Sequence, residues 1–155
     1  MAFDAAAVTA LFDAIVSHAA TLGQFEQISG HKQLSAPGNG PWYALWLADI
    51  QPVAAASGLA STSGRVTFEA WIGTSAVQRP TDGIDQALLT AVSAYVGALT
   101  GGFTLGGTVR NVDVLGEHGP ALSAKAGYIE TQGQQQRVML VTIPVIIDDL
   151  WTQAA

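Results

Sequence analysis

The segment Val138 to Ile147 carries apolar side chains on both parities of a strand. Successive side chains of a strand point to opposite faces of its sheet. A strand that is apolar on both belongs inside a sheet whose two faces are both covered. Trp42 to Ile50 has the same property, with Trp42, Ala44, Trp46 and Ala48 on one parity and Tyr43, Leu45 and Leu47 on the other. Any fold open to this chain must cover two faces over these two strands.

Two helices are legible. Asp4 is an N-cap for the Ala-rich stretch behind it, and Val8, Leu11, Phe12, Ile15, Ala19 and Leu22 recur at helical spacing until Gly23. This predicts a helix over about 4–22. Thr81 or Asp82 caps a second helix, 82–100, with a stripe of Ile84, Leu88, Ala91, Val92, Tyr95 and Leu99, stopped by Gly101-Gly102. Arg65 to Ile72 alternates: Val66, Phe68, Ala70 and Ile72 make an apolar face, Arg65, Thr67, Glu69 and Trp71 the other. That is a half-buried strand.

The remaining segments fall between these. Gln24 to Ile28 is a short strand, Ser29 to Pro41 a loop, and Pro52 ends the Trp42 strand. Val53 to Ser63 is a small-residue linker. Thr108 to Leu115 reads as a strand and Gly116 to Ser123 as a loop. Lys125–Thr131 and Gln136–Ile147 read as a hairpin around residues 132–135, with Asp148-Asp149 ending the last strand and Leu150-Trp151 in a short tail. The expected fold is therefore one domain over residues 1–155, of class α+β. It has a mostly antiparallel sheet of about five to six strands and two helices packed on one face.

Two helices leave the other sheet face to be covered by something else. One reading is that the chain's own loops or its Ala-rich linker fold over it. The other is that neighbouring copies do, since large apolar patches left in water are sticky. The composition bears on this: 49% of residues are apolar and only 12% charged, about half the usual charged share of a soluble domain. The net charge is −6 and the six basic residues, Lys32, Arg65, Arg79, Arg110, Lys125 and Arg137, are scattered. No basic patch that would grip a phosphate backbone is expected. An acidic surface still lets DNA pass without sticking. There is no cysteine, which removes disulfides and thiolate metal sites. The N-terminus lacks the basic region of a secretory signal, and the apolar runs break before membrane-spanning length. A soluble protein made in the cytoplasm is expected.

No catalytic set converges in the sequence. His18, His31 and His118 form no metal-spaced pair. His18 is expected to face solvent, and His31 and His118 lie in Gly-rich loops. Glu117-His118 is a weak acid/base pair. Gly38-Asn39-Gly40-Pro41 lacks the Lys of a phosphate loop, and no nucleophile elbow is present. Asp148-Asp149 reads as a solvated strand end rather than a cation site. Trp42 and Trp46 share a face, as core or interface rather than a ligand platform. No enzyme activity, cofactor or metal is expected.

The N-terminal helix, the Trp-rich strand, the alternating Arg65–Ile72 strand, the helix 82–100 and the closing hairpin together form a distinctive order. The closing segment Ala126-Gly-Tyr-Ile-Glu-Thr-Gln-Gly-Gln-Gln-Gln-Arg-Val-Met-Leu-Val-Thr-Ile-Pro-Val145 is especially characteristic in style. In these features the chain resembles the tail terminator and minor tail proteins of long-tailed phages, notably those of actinobacterial hosts. The resemblance covers most of the chain and is one of organisation, not of a diagnostic motif. It implies a non-enzymatic homo-oligomeric ring, a hexamer, at the head-proximal end of the virion tail, assembled in the host cytoplasm. Such a ring caps the tail tube protein, ends its polymerisation and meets the head-tail connector protein. Genomic DNA passes through the lumen without specific binding, and no membrane is involved. A tail tube or neck connector subunit is the alternative within the same class. A small-ligand binding module, with a pocket between helices and sheet, is the alternative outside it. A hydrolase is a third, without a constellation to support it.

The pattern also nominates contact residues. Arg65, Glu69 and Trp71 share the face opposite their strand's core residues, and Arg with an aromatic suits an interface anchor. A ring needs one patch to meet a different patch on the neighbour. Within the loop and linker, His31, Lys32, Asn39, Ser57 and Ser61 are the expected contacts to tube or connector. Both segments are expected to be less ordered in the free subunit.

Overall fold

A computed structural model of the chain describes residues 2–30, 41–53, 61–75, 83–101, 111–131 and 133–152. In chain order the elements are β1 (Ala2–Phe3), α1 (Ala5–Thr21), β2 (Gln27–Ser29), β3 (Trp42–Pro52), β4 (Ser61–Ser75), α2 (Ile84–Gly101), β5 (Asn111–Val112), β6 (Ser123–Thr131) and β7 (Gln134–Thr152). The fold is α+β, and its sheet is mostly antiparallel. The exception is β2, which runs parallel to β3.

β7 is the spine of the sheet. One edge pairs with β4 along nearly its whole length, and β4 in turn pairs with β3. The other edge is shared in succession by β6, β5 and β1. This explains the double parity of Val138–Ile147: Val138, Val141, Ile143, Val145, Ile146 and Ile147 are all buried.

Both helices lie on one face. α1 begins at Asp4, whose Oδ1 accepts from the Ala7 amide at 3.2 Å, and it passes through Leu22 into Gly23 at φ +67°. It buries Val8, Leu11, Ile15 and Ala19. α2 buries Ile84, Leu88, Ala91, Val92, Tyr95 and Leu99, the stripe read from spacing. Against them pack Tyr43, Leu45, Val66, Phe68, Ala70, Ile72, Val141, Ile143 and Val145. At the centre the hydroxyls of Tyr43 and Tyr95 share a hydrogen bond of 2.6 Å. Burial pushes both phenols far above their ordinary range, so the pair stays neutral.

Several boundaries differ from the sequence reading. The last strand does not stop at Asp148-Asp149. Thr62 pairs with Trp151 and Gly64 with Ile147, so Ser63 alone stands opposite Asp148 to Leu150. Asp149 takes φ +57°, a conformation that Asp tolerates better than most residues. Past this bulge the strand resumes and pairs with β1, which places Leu150 in the core and Trp151 edge-on to Phe3 at 5.5 Å. Gly64 is needed there, because a Cβ would stand 2.1 Å from Leu150 Cδ2. Ser61 to Ser63 belong to β4 rather than to a linker. The strand expected over Thr108 to Leu115 is reduced to Asn111–Val112 among the described residues, with turns from Val114 onward. The hairpin turn is tighter than expected: Gln134 and Gln135 are already paired, and Gly133 takes φ +78°.

Candidate functional site

The face without helices is covered at two ends and half open between them. At one end Trp42 is 1% exposed. Its ring lies over Gly73, where a Cβ would meet Trp42 Cζ2 at 2.6 Å. Its Nε1 donates to Gln136 Oε1 at 3.1 Å, while Gln136 Nε2 is buried without a partner. Trp42, Ala44 and Val138 form a small second core with Trp46, Trp71 and Ile129 packed on its margin.

At the other end the chain covers itself. Arg65 is 1% exposed, and the segment 113–122 folds over it. Its Nε donates to Asp113 Oδ2 at 3.1 Å, its Nη1 to the Thr67 hydroxyl at 3.1 Å and its Nη2 to the Pro120 carbonyl. Asp113 also accepts the amides of Glu117 and His118, at 2.9 and 3.1 Å. Burial pushes its carboxyl up, but those two amides and the Arg65 guanidinium outweigh burial and hold it below the usual carboxylate range. Gly116, at φ +74°, has no room for a side chain, since a Cβ would lie 2.5 Å from the Gly119 carbonyl oxygen. The result is a loop closed around the inward-turned Asp113 carboxylate, which bonds two of the loop's own amides and Arg65. Leu115 in that loop is 92% exposed.

Arg65 is therefore not an outward anchor. Alternation placed it on the helix-free face correctly, but parity does not say what covers a face. Trp71 and Glu69 are half-buried on the same face. Trp71 packs edge-on to Trp46 at 5.0 Å between ring centroids. Of the three nominated residues, Arg65 is closed off inside the chain, while Trp71 and Glu69 are partly exposed. His31, Lys32, Asn39 and Ser57 lie outside the described residues, and Ser61 opens β4 opposite Thr152. His18 does not face solvent as expected. Its ring is 6.5 Å from Tyr95, its Nε2 is buried without a partner, and burial lowers its pKa. Sequence reasoning missed Asp113, although an Asp followed by Gly116 and Gly119-Pro120 is the composition of a side-chain-closed turn.

On the helix-bearing face a pocket of about 180 Å³ opens between α2 and the β6–β7 hairpin, lined by Asp85, Leu88, Leu89, Ala126, Arg137 and Met139. Arg137 is fixed at its rim. Its Nε donates to Asp85 Oδ1 at 2.8 Å, its Nη1 to the Gly127 carbonyl at 3.1 Å, and its guanidinium carbon sits 4.4 Å from the centre of the Tyr128 ring. The Asp85 hydrogen bond raises its pKa above the ordinary arginine value. Among the described residues no group of His, Asp and Glu is placed to hold a metal ion, and no helix is long and apolar enough to cross a membrane. No family model matches the chain, and no curated protein matches its sequence.

Proposed function

We propose that this protein is a structural subunit of a long phage tail, forming a ring that caps the tail tube and meets the head connector. The observation that carries the assembly part is the display of apolar side chains on rigid elements. Trp46 and Trp71 stay half-buried on the helix-free face, and Leu115 stands exposed on a loop tied down by Arg65 and Asp113. A domain with only 12% charged residues has little polar surface with which to isolate the Trp46–Trp71 pair and Leu115 from a partner. The resemblance in element order and in the closing hairpin supports the tail assignment. A terminator must close a ring and stop, whereas a tube subunit must propagate from both ring faces.

Negative-stain imaging of the purified protein, alone and with tube protein, tests this reading. Discrete rings, and tubes that end where the ring is added, are the expected result. Open tubes from this chain alone would make it a tube subunit, and featureless single particles in both samples would remove the assembly reading.

A further inference from the structure

The molecule carries both an exposed apolar knob and an apolar socket, and they cannot meet within one chain. The knob is Leu115. Its loop is anchored on the helix-free face, where the Asp113 amide donates to the Pro144 carbonyl at 2.8 Å and Arg65 holds Pro120. The socket is the pocket between α2 and the hairpin, floored by Leu88 and Met139 and rimmed by the exposed Leu89. It opens on the helix-bearing face. Along β7 the two anchor points, Pro144 and Met139, are roughly 17 Å apart at strand rise. A knob on one face and a socket on the other are what a head-to-tail contact between copies requires, and such contacts close into rings when the rotation allows.

Size and charge both favour a second copy as the occupant. A socket of about 180 Å³ is large enough to take a leucine side chain, and four of its six lining residues are apolar. Glu117 lies two residues from Leu115 and is exposed. Arg137 stands at the socket rim with Nη2 only loosely engaged, 3.5 Å from Asp85 Oδ2. A guanidinium has five N–H donors, so it can donate to a second carboxylate besides Asp85. The loop is also tethered before contact by the Arg65 and Asp113 hydrogen bonds, which limits the ordering cost of binding.

We propose that Leu115 of one copy seats in the α2–hairpin socket of the next, with its Glu117 against that copy's Arg137. This rests on the assembly reading above and names the contact that closes the ring. The contact orders a face-to-back stack of subunits around the ring, leaving the Trp46–Trp71 band outside it.

The chain has no native cysteine, which makes the test direct. Leu115→Asp is folded by circular dichroism, because the side chain is almost wholly in solvent, and its assembly by light scattering is weakened roughly ten- to a hundredfold. Separately, Leu115→Cys and Leu89→Cys proteins are treated with a short bis-maleimide. Covalent dimers are expected when the two are mixed and not from either alone. If the wild type assembles and Leu115→Asp assembles equally well, the contact is wrong while the ring reading stands. If Leu115→Cys alone gives the dimer, the knob meets a knob and the socket is wrong. If the wild type stays monomeric at every concentration, alone and with tube protein, both readings fall together.

Discussion

Asp113 shows how much structure one carboxylate organises here. It accepts two amides and one guanidinium N–H from inside a nearly closed site. A buried ion pair of this kind contributes modest net stability, because desolvation offsets most of the attraction. Removing one partner is different, since the other charge is then left buried and uncompensated. Asp113→Asn is expected to cost about 3–5 kcal/mol at neutral pH, read by urea unfolding, whereas Asp13→Asn on the exposed side of α1 changes stability by less than about 0.5 kcal/mol. The sign with pH follows from the lowered carboxyl. Its contribution is complete above the unfolded value of about 3.9. It disappears as pH falls through the lower folded value. The wild type should therefore lose stability across that acid window more steeply than Asp113→Asn. Equal acid slopes in the two proteins would show that Asp113 does not hold the loop.

At the scale of elements, α1 depends on its start. Asp4 caps the helix through its side chain, and its own amide donates to the Leu150 carbonyl at 2.9 Å, so the helix entry and the end of β7 are tied at one residue. Asp4→Ala should cost about 0.5–2 kcal/mol, measured by thermal unfolding, with the Leu150 bond intact because it uses the backbone. A loss within error would mean that packing of Val8 and Leu11 alone sets the helix start. Both helices were legible because their apolar period is long and unbroken, and the Arg65–Ile72 strand because its alternation is clean. The end of β7 was not. Asp148-Asp149 looks like a polar stop, but a bulge lets two exposed carboxylates, one of them accepting from the Ser63 hydroxyl, sit in a strand that continues beyond them to pair with β1. The Arg65 site was half legible: parity gave its face, while its burial depends on Asp113, far away in sequence and joined to it only by the fold. The socket was not legible at all, since α2 and the hairpin each present ordinary residues and only their packing makes a concavity.

For the whole molecule, the low charge content sets the kind of force that can hold copies together. Of the three described basic residues, Arg65 is bound to Asp113 inside the chain, Arg137 is already bonded to Asp85, and only Lys125 on β6 stands exposed outside these two pairs. The contact proposed here adds one rim carboxylate to Arg137, and a rim ion pair is worth at most about 1 kcal/mol. The larger share must come from burying Leu115 against Leu88, Leu89 and Met139, which salt does not screen. At 1 M salt the screening length falls to about 3 Å, so the rim pair is lost and the apolar burial kept. Sedimentation at low salt and at about 1 M sodium chloride should therefore give dissociation constants that differ by less than about fivefold. A ring held by many charge contacts would fall apart over that range. Such a loss would mean that residues outside this apolar contact carry the assembly, and the Leu115→Asp variant would then retain wild-type association at low salt.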